Sequence, residues 1–182
     1  MKKQKEIAKR APQLIVVFGL PGSGKSTFAR DLSDAIEARV INSDVVREEF
    51  LLRGNYAGKA KEKVYAEMLK MAVNSIENGD SVILDGTYYK EKLRDQVVNK
   101  ARGLHMIPHF IEVKANEEVI RDRVSIKTKS TDADYDAYLA LKAQFEPLCC
   151  CHLIVHSDCQ TPEEMLTKAL LFIGAYHEAM GN

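Results

Sequence analysis

Gly19-Leu20-Pro21-Gly22-Ser23-Gly24-Lys25-Ser26, followed by Thr27, matches the phosphate-binding pattern GxxxxGK(S/T) at every position. Each residue type has a mechanical role. Gly19, Gly22 and Gly24 permit the tight backbone turns that aim a row of N–H groups at phosphate oxygens. The helix that follows adds its positive N-terminal end. Lys25 can reach the β- and γ-phosphates, and the Ser26 hydroxyl is a hard oxygen ligand for Mg²⁺. The flanks supply the context the motif needs. Leu14 to Phe18 is an unbroken apolar run, and Phe28, Leu32 and Ile36 recur at helical spacing beyond the loop. Strand, loop and helix together predict a nucleoside triphosphate site.

The rest of the chain continues the alternation of apolar runs and helical patterns expected of a parallel sheet covered by helices. Strands are predicted at Leu14–Phe18, Arg39–Asn42, Ser81–Asp85, His109–Val113 and His152–His156. A helix near Lys59–Asn78 places Val64, Met68, Met71 and Ser75 on one face, and another near Lys90–Arg102 follows the third strand. Asn116 can cap a helix whose first turn carries Glu117 and Glu118. Thr161 and Glu164 form a capping box around Pro162, and the last helix offers Met165 or Leu166, Ala169, Leu170, Ile173 and Tyr176 as its apolar face.

With 182 residues, the chain suits a single domain over 14–182 preceded by a solvated, flexible tail over 1–13. Lys and Arg number 26, as do Asp and Glu, so overall charge gives no support to a polynucleotide partner. No apolar run approaches the roughly 20 residues needed to cross a bilayer, and the Lys-rich start lacks a signal peptide's apolar core. The expectation is a cytoplasmic protein. Cys149, Cys150 and Cys151 precede His152, but consecutive strand residues point to opposite faces and do not converge on one tetrahedral ion. They read as small apolar residues entering a buried strand, with Cys159 apart and no disulfide.

Three segments fall just beyond the C-terminal ends of predicted strands, where open α/β sheets hold their chemistry. In Asn42-Ser43-Asp44, Asp44 can accept a proton from a hydroxyl, with Arg47 one helical turn further on the same side. Alternatively, Asp44 caps a helix from Val45 to Leu52. Asp85 ends an apolar strand, the position from which a carboxylate reaches Mg²⁺ or its waters; it could also open a turn. Arg121, Arg123 and Lys127 can form a cationic segment that closes over a triphosphate, or a solvated face paired with Glu118 and Asp122. Tyr56, Tyr65, Tyr88 and Tyr89 are candidates for a substrate pocket or for the core.

On these residues the chain resembles the small P-loop kinases of the AAA-domain type, a group similar to the 5′-kinase domain of polynucleotide kinase, zeta toxins, chloramphenicol phosphotransferase and gluconate kinase. The parts that carry the resemblance are the Gly19–Thr27 loop, Asn42-Ser43-Asp44 with Arg47, the segment Tyr56–Met68, Leu84-Asp85-Gly86-Thr87-Tyr88-Tyr89, Arg123, and Ser130–Pro147. The resemblance implies a three-layer fold with a five-stranded parallel sheet ordered 2-3-1-4-5 and a small helical lid over about 121–135. It also implies a nucleotide site of Gly19, Pro21, Gly22, Ser23, Gly24, Lys25, Ser26, Thr27, Arg123 and Lys127, with Ser26 and Asp85 at Mg²⁺. Lys25, Asp44, Arg47 and Arg123 would be catalytic, Asp44 as general base. Lys127 stands where the family commonly has a second lid arginine, and lacks the bidentate fork.

The expected activity is ATP-dependent phosphoryl transfer to the hydroxyl of a small molecule. Two alternatives are a 5′-hydroxyl polynucleotide kinase and an ATP-binding regulatory switch without an acceptor. A guanine-specific switch is disfavoured, because Asn99-Lys100 continues to Ala101 and Arg102 without the acid of NKxD.

Overall fold

Three apolar side chains of the first strand, Leu14, Val16 and Phe18, enter one hydrophobic cluster, while Ile15 and Val17 between them enter another. That alternation, with all five residues buried, requires helices on both faces of the sheet. The computed structural model describes residues 11–50, 58–127 and 131–180. In chain order the elements are β1 (Leu14–Phe18), α1 (Lys25–Ile36), β2 (Arg39–Asn42), α2 (Ser43–Glu49), α3 (Gly58–Glu77) and β3 (Val82–Gly86). They continue with α4 (Glu91–Gly103), β4 (His109–Lys114), α5 (Glu117–Lys127), α6 (Thr131–Ala143), β5 (Leu153–His156) and α7 (Pro162–Met180). The five strands form one sheet in the order β2-β3-β1-β4-β5, every pair parallel. The expected order therefore holds.

On one face, α3 and α4 bring Val64, Met68 and Val97 against Leu14, Val16, Leu84 and Phe110. On the other, α1 and α7 bring Phe28, Leu32, Met165, Ala169 and Ile173 against Ile15, Val17, Ile111 and Val155. The capping box of α7 is formed: the Thr161 N–H donates to Glu164 Oε2 at 2.8 Å, and the Glu164 N–H donates to Thr161 Oγ1 at 3.2 Å. Gln13, assigned to the tail by the sequence, joins the sheet margin. Its N–H donates to Ser81 Oγ and its carbonyl accepts the Val82 N–H at 2.8 Å.

Two packing expectations are corrected. Leu170 is exposed, because the buried stripe of α7 runs through Met165, Ala169 and Ile173. Cys149, Cys150 and Cys151 are exposed as well, since β5 begins only at Leu153. The residues before it belong to a surface bend. His152 is held there by the Cys150 carbonyl at 2.8 Å from Nδ1 and Glu112 Oε2 at 3.3 Å from Nε2.

The Phe145-Glu146-Pro147 segment after α6 serves as a clamp. Phe145 stacks on Phe18 with ring centroids 6.4 Å apart. Glu146 accepts from Lys90 Nζ at 2.8 Å and the Glu91 N–H at 2.7 Å, satisfying an otherwise orphaned donor at the start of α4. Arg94, fully buried, donates to the Tyr88 carbonyl at 2.8 Å and the Pro147 carbonyl at 3.3 Å. The loop after β3 is thereby fixed from two sides. Among the described residues, no helix is long and apolar enough to cross a membrane.

Candidate active site

The glycine-rich loop joins β1 to α1 at the centre of the sheet, and three of its glycines are each required by a different neighbour. A Cβ on Gly19, whose φ is +148°, would lie 2.4 Å from the Val113 carbonyl oxygen of β4. One on Gly22 would lie 3.0 Å from methyls of both Ile120 and Val124 on α5. One on Gly24 would lie 3.0 Å from Ser157 Oγ, in the turn between β5 and α7. The loop is thus packed against β4, α5 and the β5–α7 turn. Lys25 opens α1, so the orphan N–H groups and positive end of that helix stand at the loop's exit. This is the geometry of an anion cradle. Pro21 is half-buried beside Gly22, Ser23 is buried, and Ser26 and Thr27 are exposed on the first turn of α1.

At the neighbouring strand ends, parallel register sets Asn42 of β2 opposite Asp85 of β3, and Asp85 opposite Val17 of β1. Asn42 Nδ2 donates to Asp85 Oδ2 at 2.5 Å. The other end of the same amide caps α2: Oδ1 accepts the N–H groups of Asp44 at 2.8 Å and Val45 at 3.1 Å. Asp44 is therefore not the cap, and α2 runs over Ser43–Glu49 rather than from Val45 to Leu52. The reason is chemical, since an asparagine at the strand end can donate to one carboxylate and accept from the helix at once. Asp44 is left exposed in the first helical turn, just past the C-terminal end of β2.

Asp85 is buried, and its Oδ1 accepts no hydrogen bond among the described residues. A buried carboxylate oxygen without a donor is costly unless a cation or water meets it. Together with the exposed Ser26 hydroxyl, it offers hard oxygen donors of the kind Mg²⁺ takes. The residues present fit that ion.

Arg47 is buried, and Lys61 of α3 is half-buried. Burial and then the nearby Arg47 guanidinium hold the Lys61 ammonium below the usual lysine range. Lys61 Nζ also stands 4.2 Å over the Tyr89 ring. Two cations and one aromatic face are gathered here. Lys61 lies within the Tyr56–Met68 segment that carries the resemblance, but is not singled out there as a site residue.

Tyr65 is a structural clamp. Its hydroxyl accepts the N–H groups of Thr87 at 3.1 Å and Tyr88 at 3.2 Å, leaving its own proton for Thr87 Oγ1 at 2.8 Å. Burial pushes the ionisation of both Tyr65 and Tyr88 above the ordinary phenol range. Both belong to the core rather than to an open pocket. Tyr89 alone of the described candidates is half-buried, and Tyr56 lies outside the described residues.

Arg123 is tied down beside the loop. Its Nη1 donates to Ser157 Oγ at 2.8 Å and to the Gly22 carbonyl at 3.3 Å, and Nη2 donates to the Ser157 carbonyl at 3.0 Å. Ser157 Oγ in turn donates to the Ser23 carbonyl at 2.6 Å. Sequence reasoning missed Ser157, although it lies just past the C-terminal end of a parallel strand, the edge that carries function in such sheets. Arg121 points elsewhere, with its guanidinium carbon 5.3 Å from the Tyr135 ring centre. The side chain of Lys127 lies outside the described residues.

A phosphate loop at the head of β1, an Asp85 at the head of β3 and the strand order 2-3-1-4-5 now stand together, and the AAA domain family model matches residues 14–148. The chain belongs to the AAA domain family. It is 31% identical over 145 residues to an uncharacterized protein of Mycobacterium tuberculosis, covering 72% of this chain. The chain spans only 29% of the length of that curated relative. It is 28% identical to the adenylate kinase of a Sulfurovum species, over 62% of this chain and 64% of the relative. To the shikimate kinase of Corynebacterium diphtheriae it is 25% identical, over 90% of this chain and 96% of the relative. The solved gluconokinase from Sinorhizobium meliloti superposes with a TM-score of 0.72 at 19% identity, covering 94% of this chain and 97% of that one. At that identity the structural likeness speaks for the fold alone. The chain groups with the small P-loop kinases.

Proposed function

We propose that this AAA domain protein is an ATP- and Mg²⁺-dependent phosphotransferase whose acceptor is the hydroxyl of a small molecule. The observation that carries the reading is the Asn42 amide. By capping α2 and binding Asp85, it ties the helix that starts with Ser43 and the exposed Asp44 to a strand end. The carboxylate of that strand end keeps one buried oxygen suited to a cation, in the same parallel sheet that carries the phosphate loop. Shikimate kinase, a relative across nearly the full length, has an alcohol substrate in its name, whereas adenylate kinase names a nucleotide; the exposed Asp44 favours the alcohol.

Gly19, Pro21, Gly22, Ser23, Gly24, Lys25, Ser26 and Thr27 would hold the triphosphate. Ser26 and Asp85 would hold Mg²⁺, which when bound neutralises phosphate charge. The acceptor oxygen would bond to the γ-phosphorus as the bond to the β–γ bridging oxygen breaks, Asp44 taking the hydroxyl proton and ADP leaving. Lys25 would offset charge on the transferring group, and Arg123 would hold the loop against Ser157 and contribute charge beside it. The α5–α6 pair would serve as the lid over about 121–135. The positive charge that Arg47 and Lys61 bring close together favours an alcohol that also carries an anionic group.

The test is a labelled-ATP transfer screen over sugar acids, neutral polyols, nucleosides, nucleoside monophosphates and 5′-hydroxyl oligonucleotides. Transfer to a hydroxy acid, lost in Asp44→Asn with ATP binding retained and lost together with ATP binding in Lys25→Ala, is the expected result. Full transfer by Asp44→Asn would remove the base assignment. Transfer only to a nucleotide phosphate would remove the alcohol, and hydrolysis indifferent to every compound would favour the switch.

A further inference from the structure

The end of β5 and the turn that follows it gather three side chains that the phosphoryl-transfer reading does not use. A nitrogen of His156, a carboxylate oxygen of Asp158 and the Cys159 sulfur all lie within 4.8 Å of one another. Their neighbourhood is wired in advance. The Gln160 N–H donates to the His156 carbonyl at 3.0 Å, and the His156 N–H donates to Gln160 Oε1 at 2.6 Å, closing the turn on itself. Asp158 is anchored from outside, because its Oδ2 accepts the Asn116 N–H at 3.0 Å. Its Oδ1 is withdrawn from solvent and accepts no hydrogen bond among the described residues. Asp158 thus brings a carboxylate with one unmet, withdrawn oxygen to a cluster that also holds an exposed imidazole and an exposed thiol.

We propose that the His156–Cys159 turn binds one soft divalent transition ion, of which Zn²⁺ is the natural representative, through the His156 imidazole, Asp158 Oδ1 and the Cys159 thiolate. The donor set selects the ion: one nitrogen, one oxygen and one sulfur suit Zn²⁺ or Co²⁺ and do not suit Mg²⁺. Bond lengths near 2.0–2.3 Å put tetrahedral ligands roughly 3.5 Å apart, so the exposed His156 and Cys159 side chains need close by only about 1 Å. Three protein ligands leave a fourth position to water. Binding releases the Cys159 proton and fixes the backbone on both sides of Ser157. Ser157 is the residue that holds Arg123 and the Ser23 carbonyl, so the ion sits one residue from the contact that braces the phosphate loop.

The test is a Co²⁺ titration of the full chain without nucleotide and with Mg²⁺ in excess. The background variant is Cys149→Ser/Cys150→Ser/Cys151→Ser, which removes the other exposed thiols. One equivalent of Co²⁺ should bind with a sulfur-to-cobalt charge-transfer band, and Zn²⁺ should displace it and raise Tm. Adding Cys159→Ser should abolish the band; His156→Ala or Asp158→Asn should weaken binding at least tenfold. Cys159 is exposed, so its serine variant should unfold at the same temperature as the background in the absence of metal, which separates lost ligation from lost folding. Absence of the band in the background variant, or its persistence in Cys159→Ser, overturns the proposal.

Discussion

Asn42 Nδ2 lies 2.5 Å from Asp85 Oδ2, so one amide links the heads of two adjacent strands and at the same time starts the helix that carries Asp44. Two functions of Asn42 can be separated by substitution. Asn42→Ala removes both the cap and the Asp85 partner, and should cost about 1–2 kcal/mol in urea unfolding. Asn42→Ser keeps a capping oxygen and should recover most of that stability. It cannot donate across to Asp85 with the same reach, so transfer at limiting Mg²⁺ should stay depressed. Wild-type transfer by Asn42→Ser would show that the link is structural only.

Gly19 and Gly103 form a matched pair of glycine-to-alanine tests. At Gly19 the added Cβ meets the Val113 carbonyl at 2.4 Å with φ at +148°, whereas at Gly103 nothing lies within 4 Å. Gly19→Ala should destabilise by at least about 2 kcal/mol and abolish nucleotide binding. Gly103→Ala, at the end of α4, should be neutral or stabilise by up to about 1 kcal/mol. Thermal unfolding of the two variants side by side reads the difference.

Ser157→Ala takes away the acceptor for Arg123 Nη1 and the donor to the Ser23 carbonyl. At about 1 kcal/mol for each net hydrogen bond, the loss to stability should be about 1–2 kcal/mol. Affinity for a non-hydrolysable ATP analogue should fall by roughly threefold to tenfold, measured by calorimetry. An unchanged affinity would mean the brace does not reach the nucleotide.

Lys61 supplies a pH dependence. Its ammonium is held below the usual lysine range by burial and by Arg47, so it should lose its charge at lower pH than a solvated lysine does. KM for an anionic acceptor should rise with pH before the ordinary lysine range is reached, while KM for ATP stays level. Lys61→Met should raise acceptor KM at neutral pH and flatten that rise. A Lys61→Met enzyme with the wild-type pH profile would exclude the role.

Glu146 bears on acid stability. Its carboxyl is held below the usual range by Lys90, then by the Glu91 N–H. A depressed carboxyl contributes stability that is fully present above its unfolded pKa of about 4.3 and is lost as pH falls through the lower folded value. Glu146→Gln should therefore be less stable than wild type at neutral pH, and the gap should close below about pH 4.3. Chemical denaturation at a series of pH values measures that convergence.

The sheet was legible in the sequence because its signals are local. Leu14–Phe18 and Arg39–Asn42 fall where the apolar runs place them, and the other three strands shift only at their ends. The phosphate loop was legible for the same reason, its spacing being a property of consecutive residues. Burial of the cysteine run was not, because whether Cys151 enters β5 depends on where the Phe145–Pro147 clamp releases the chain. Leu170 sits within the helical pattern of α7, yet the face that meets the sheet is set by Met165, Ala169 and Ile173 together.

By itself, the sequence determined the strand–loop–helix phosphate motif, the alternating α/β architecture and the place of each strand to within a residue at its ends. Tertiary structure alone decided what those strand-end residues do. Asn42 rather than Asp44 caps α2 because β2 and β3 bring Asp85 within reach of its amide. Arg123 braces the loop through Ser157, 34 residues away in the chain, because β4 and β5 pair side by side. Hydrogen bonds between such distant residues leave no periodicity to read, since they depend on register and on the direction of each side chain once the sheet has formed.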